Sequence, residues 1–154
     1  MTIDQRYNEL LEPTAVLVND IKKISGDIAI LGVGGKMGPD MARLAIAAIQ
    51  KAGIDKKVYG VARFSEEGLQ QELEEAGVIT IKANLLDDAA WSHMPQVANI
   101  LYLAGTKFGT KGNESFTWAM NTHLPSKVAA HYKDSNIVVF STGNVYPLSA
   151  ANGG

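Results

Sequence analysis

The chain has 154 residues, enough for one domain with a real hydrophobic core and too few for two of ordinary size. Hydrophobic residues make up 46% and charged residues 19%, and the formal net charge is -2, without the basic excess usual in a nucleic-acid binder. Cysteine is absent, which excludes disulfides and thiolate metal sites and fits a reducing cytoplasm.

Asp4, Gln5, Arg6, Asn8 and Glu9 give the first residues an acidic and polar character, unlike a signal peptide. No apolar run approaches the ~20 residues of a membrane helix. Residues 1–26 read as an N-terminal helical extension: Leu17, Ile21 and Ile24 have helical spacing, and Gly26 is the expected stop. Ile28 to Leu31 is a short apolar run, as expected of a strand buried on both faces. The segment from Met37 to Ala52 predicts a helix, with Pro39 in its first turn and Gly53 closing it. Val58 to Ala62 predicts a second strand, Glu66 to Ala76 a charged helix, and Val78 to Ile81 a third strand. A short helix over Asp87 to His93, a strand over Ile100 to Leu103, a long helix over Ser115 to Tyr132 and a strand over Ile137 to Phe140 complete the pattern. Strands separated by helices imply parallel pairing, and right-handed crossovers then give an α/β fold with a doubly wound parallel sheet, in three α/β/α layers.

Gly32-Val33-Gly34-Gly35-Lys36-Met37-Gly38 follows the first strand and opens the first long helix. In that context each glycine has a physical job. The first permits the tight turn, the middle ones let backbone approach a pyrophosphate, and the last permits close packing of helix on strand. Backbone N–H groups and the positive end of the helix then face the phosphates. A P-loop fits less well, because Met37 stands after Lys36 where that motif needs Ser or Thr. Residues 27–154 therefore read as an NAD(P)-binding Rossmann domain.

The end of the second strand bears on which cofactor is bound. An NAD site ordinarily ends that strand on Asp or Glu, which binds the ribose 2′-OH. Here Arg63 stands at that place, able to pair with a 2′-phosphate or stack on adenine, and Lys36 adds positive charge. NADP is favoured over NAD. Glu66 and Glu67, just beyond, keep NAD open.

At this point the chain resembles a known family. Gly32-x-x-Gly35-x-x-Gly38 is similar to the fingerprint of extended short-chain dehydrogenases/reductases, the NAD-dependent epimerase/dehydratase family. Four further stretches match in order over roughly residues 27–148. Asn84-Leu85-Leu86-Asp87 resembles the segment bordering the adenine, with Asn84 in place of the usual acid. Leu103-Ala104-Gly105, after Tyr102, resembles the fourth-strand signature beside the cofactor, and Asn121-Thr122-His123-Leu124 the Asn-centred segment of the next helix. Phe140 to Pro147 resembles the motif that carries the catalytic Ser or Thr. The resemblance places Thr142 in that role, orienting the substrate oxygen, with Ser141 the runner-up. It implies hydride transfer on a sugar nucleotide or similar hydroxyl or carbonyl substrate, and it allows a homodimer.

Two departures matter. Family dehydratases carry Asp-Glu directly after the Thr, and this chain has Gly143-Asn144, which cannot replace paired carboxyls in proton transfer. Epimerisation or carbonyl/alcohol redox is the remaining expectation. The family's proton donor is the Tyr of Tyr-x-x-x-Lys, and no Tyr here has Lys four residues later. The chain is therefore expected to stop short of that pair and of the substrate-binding segment, and to be inactive alone. A non-catalytic NAD(P)-binding sensor module is the alternative. His93, His123 and His131 are dispersed, and no metal site is expected. Lys107 and Lys111 lie in the loop after the fourth strand, where a solvated loop is favoured over a substrate-phosphate contact.

Overall fold

The computed structural model describes residues 2–106 and 111–141. Its centre is a five-stranded, all-parallel sheet in the order β3-β2-β1-β4-β5. The strands are β1 Ile28–Leu31, β2 Val58–Ala62, β3 Ile79–Lys82, β4 Asn99–Tyr102 and β5 Asn136–Val139. The chain leaves β1 for β2 and β3 on one side, then returns to place β4 on the other side of β1. Two neighbouring strands thus send their connections in opposite directions, which opens a crevice at their carboxyl ends.

The continuous apolar run Ile28 to Leu31 is explained by burial on both faces. Ile28 and Ile30 enter one core with Val33, Val58, Ala42, Ala48, Ile49 and Leu73. Ala29 and Leu31 enter a second, across the sheet, with Val61, Ile100, Tyr102, Leu124, Val128 and Tyr132. Helices α1 Ile3–Leu10, α2 Ala15–Ile21, α3 Gly38–Ala52 and α4 Leu69–Glu75 precede the crossover. A 3₁₀ helix spans Asp88–His93, and a long helical stretch from Glu114 to His131 covers the second core. No helix among the described residues is long and apolar enough to cross a membrane.

Three elements differ from expectation. The N-terminal extension is two helices. Pro13 interrupts it, and the Thr14 side chain accepts a hydrogen bond from the Leu17 N–H to start α2. α2 is part of the domain's packing, because it lies against α3 with Ile21 buried and Leu17 against the same core. Helix α4 begins at Leu69, since Gly68 before it has a left-handed φ of 83° that Glu66 and Glu67 do not share. The long helix is interrupted. It runs as α5 Glu114–Trp118, a π turn Ala119–His123 and α6 Leu124–His131. Pro125 explains the wide turn: it has no N–H for the carbonyl of Asn121, and its ring crowds that oxygen.

Tyr132 is buried to 1% exposure, and its hydroxyl has no hydrogen-bond partner among the described residues. A buried hydroxyl without a partner costs about 1–3 kcal/mol in lost hydration. Tyr132→Phe is therefore expected to raise the unfolding free energy in urea by roughly 1 kcal/mol. Burial also pushes the hydroxyls of Tyr102 and Tyr132 up to about 12. The folded pKa is raised, so the contribution is fully present below the ordinary tyrosine value of 10.0 and is lost as pH rises through about 12. Alkaline unfolding should fall in that window, and Tyr132→Phe should weaken its pH dependence.

Candidate cofactor cleft

The register of the central strands brings four carboxyl ends level. Leu31 pairs with Val61 on one side and Tyr102 on the other, and Ala62 pairs with Lys82. The ladder continues one step past each strand: Gly32 N–H donates to Val61 O at 2.9 Å, Ala83 N–H to Ala62 O at 2.9 Å, and Leu103 N–H to Leu31 O at 2.8 Å. Immediately beyond these bonds lies a cleft of about 200 Å³.

The glycine loop forms one wall through Gly32, Gly34 and Gly35. Gly32 has a φ of 89°, and a Cβ there would lie 2.7 Å from Ala104 N, so the turn out of β1 runs tight against the end of β4. Gly38 is buried under the loop, where a Cβ would stand 2.1 Å from Val33 O. Gly35 is different: among the described residues a Cβ there would meet only Gly32 O, at 3.4 Å, and its φ is not positive. Among the described residues nothing in the packing requires glycine at that position, and Gly35 lines the cleft. Among the described residues the N–H groups of Gly34, Lys36 and Met37 find no backbone acceptor, and α3 begins without a side-chain cap. Unpaired amides at the start of a 15-residue helix suit an anion. The donor set and the open side of Gly35 therefore fit a dinucleotide pyrophosphate.

Arg63, Phe64, Ser65 and Glu66, after β2, border the cleft, as do Ala83, Asn84 and Leu85 after β3. Arg63 and Glu66 are the charged residues among those lining it. Asn84 accepts from the Leu86 N–H through its side-chain oxygen at 3.2 Å and so shapes its own turn. Leu85 O accepts from Trp91 Nε1 at 3.1 Å, which holds that turn against the second core. Leu103, Ala104 and Gly105 close the far side.

Lys36 and Met37 are exposed on the loop and do not line the cleft. Asn121 is not at the wall either. Its Oδ1 accepts from Thr106 N–H at 2.9 Å, and its Nδ2 donates to Thr106 O at 2.8 Å. This two-point clamp, made from the π turn, holds the segment that follows Gly105. Asn121→Ala is expected to cost about 1 kcal/mol of stability, as for partly exposed neutral hydrogen bonds. Amide hydrogen exchange should then accelerate at Thr106 more than in β4. Ser141 is exposed, two residues past β5. Thr142 and Lys107 lie outside the described residues.

Several lining residues are new. Phe116, Met120 and Leu124 present one side of the interrupted helix to the cleft. Their spacing of four was a visible apolar stripe, though nothing in it distinguishes cleft from core. Phe64 carries no signal of its own in the sequence, because its position depends on how the chain bends after β2.

No protein-family description matches the chain, and no curated protein matches it. Solved structures do. A short-chain dehydrogenase/reductase superfamily protein from Agrobacterium tumefaciens with bound NAD is 19% identical, with a TM-score of 0.56 over 79% of this chain and 34% of that one. The Bordetella bronchiseptica enzyme WbmF in complex with NAD+ and UDP is 15% identical, with a TM-score of 0.63 over 87% of this chain and 41% of that one. ADP-L-glycero-D-manno-heptose-6-epimerase from Helicobacter pylori is 18% identical, with a TM-score of 0.65 over 83% of this chain and 42% of that one. These likenesses establish a shared Rossmann fold. The chain spans less than half the length of each of these structures.

Proposed function

We propose that this chain is the dinucleotide-binding part of an NAD(P)-dependent oxidoreductase or epimerase that acts by hydride transfer on a sugar nucleotide or similar hydroxyl or carbonyl substrate. The observation that carries the proposal is the glycine wall of the cleft, above all Gly35, which lines the cleft and where no packing among the described residues requires a glycine. Solved structures of the same fold hold NAD, which supports the reading.

The proposed roles are these. The free amides of the Gly32 to Gly38 loop bind the pyrophosphate, and Arg63 pairs with a 2′-phosphate, so NADP is preferred. Asn84 and Leu85 border the adenine, while Leu103, Ala104 and Gly105 lie along the remainder. A bound nicotinamide would supply and recover the hydride. Thr142, with Ser141 as runner-up, orients the substrate oxygen through its hydroxyl, and Asn121 steadies the loop behind Gly105. The Tyr-x-x-x-Lys pair that would move the proton is absent from these 154 residues, so turnover is proposed for a longer polypeptide.

Calorimetric titration of the chain with NADP and with NAD tests the binding reading. Saturable binding of either supports it, and tighter NADP binding supports the role of Arg63. Failure of both to bind at millimolar concentration would overturn the proposal. The missing Tyr-x-x-x-Lys also favours a second reading, a sensor module that binds the dinucleotide without chemistry. Turnover by the full-length protein, slowed by Thr142→Ala, would exclude that alternative.

A further inference from the structure

Phe64 is the one non-glycine residue with positive φ among the described residues, at 47°. An aromatic side chain disfavours that backbone region, which persists only where the surroundings impose it. The imposing contact is visible. The residue is 9% exposed and belongs to the core that contains Ala62, Leu69, Leu73 and Val33. Its neighbours on both sides, Arg63 and Ser65, are exposed. In a continuing strand, successive side chains would alternate between opposite faces. Instead Arg63, Phe64, Ser65 and Glu66 all border the cleft. The chain bends at Phe64 beside the cleft, and burial of that side chain in the core anchors the bend.

This segment brings a cation and a carboxylate to the same end of the cleft. Arg63 suits a 2′-phosphate, and Glu66 suits a ribose 2′-hydroxyl while repelling a phosphate. Which one addresses the ribose depends on the path of the chain between them, and Phe64 sets that path. We infer that Phe64 is a positioning residue for cofactor selectivity: its buried ring holds the Arg63 to Glu66 segment in the geometry that discriminates NADP from NAD. The inference rests on the dinucleotide reading of the cleft.

The test compares dissociation constants for NADP and NAD in the whole chain and in two variants. Phe64→Asn keeps tolerance of the left-handed backbone but loses the apolar anchor, whereas Phe64→Leu keeps an apolar anchor. Phe64→Asn is expected to reduce the preference between the two cofactors about tenfold, and Phe64→Leu to keep it within about threefold, since selectivity is a difference of two affinities. A residue that merely supports the fold would weaken both cofactors by the same factor, and that result in Phe64→Asn would overturn the inference. So would an unchanged preference. Should the unaltered chain bind neither dinucleotide, the proposed function falls first, and that failure is distinguishable because it needs no variant.

Discussion

Gly38→Ala is expected to destabilise the chain by roughly 3 kcal/mol or more, at the upper end of what overpacking usually costs. The added Cβ would stand 2.1 Å from Val33 O and 2.5 Å from Val33 C. Both are backbone atoms of the loop that turns from β1 into α3, and Val33 is itself fully buried. No flexible side-chain end is there to give way, so relief requires α3 to move off the sheet. Gly35→Ala, three residues earlier, carries a methyl of the same size and should behave in the opposite manner. Its nearest obstacle is Gly32 O at 3.4 Å, and its backbone is in an ordinary region. Its stability should change by no more than ~0.5 kcal/mol, as for substitutions away from packed features, while dinucleotide affinity falls about tenfold or more. Thermal melts and calorimetric titrations of the two variants check both halves. A Gly35→Ala chain that binds as tightly as the parent would mean that the space beside Gly35 is not where the pyrophosphate lies.

The second large effect is expected at Arg63. Arg63→Ala should weaken NADP binding by about ten- to a hundredfold, the range of a charge-assisted hydrogen-bonded pair, and leave NAD within about threefold. The arginine is exposed and has no ion-pair partner among the described residues, so its loss should leave the melting temperature nearly unchanged. The NADP affinity of the parent should also fall with added salt more steeply than that of the variant, because screening acts on the charged pair. Equal loss of both cofactors would indicate that Arg63 stacks on adenine and does not read the 2′ position. Raising the charge contrast by Glu66→Gln should move selectivity further toward NADP, by removing a carboxylate from the same end of the cleft.

Much of the scaffold was legible because it depends on local pattern. The apolar run Ile28 to Leu31 reads as a doubly buried strand, and the structure buries all four residues. Gly53 ends α3 where a glycine stop was expected. The alternation of strands and helices was enough to require parallel pairing. The interruption at Pro125 was not anticipated, because Ser115 to Tyr132 reads as one helix by periodicity, although a proline within a helix removes a bond. Nor was its consequence, because the use of Asn121 as a clamp depends on Thr106 lying across from it, 15 residues away in sequence.

The glycine wall divides in the same way. The sequence by itself determined that a strand, a glycine turn and a helix follow one another, because period, turn residues and helix stops act over a few neighbouring residues. It could not say why each glycine is there. Tertiary structure alone distinguished Gly38, excluded from carrying a side chain by Val33, from Gly35, which lines the cleft and meets no such obstacle among the described residues. It alone brought Gly32, Arg63, Asn84 and Gly105 to one cavity, since these residues are joined by strand register and crossover order. It also bent the chain at Phe64, because only the packed core beneath that ring could hold an aromatic residue in a conformation its own backbone resists.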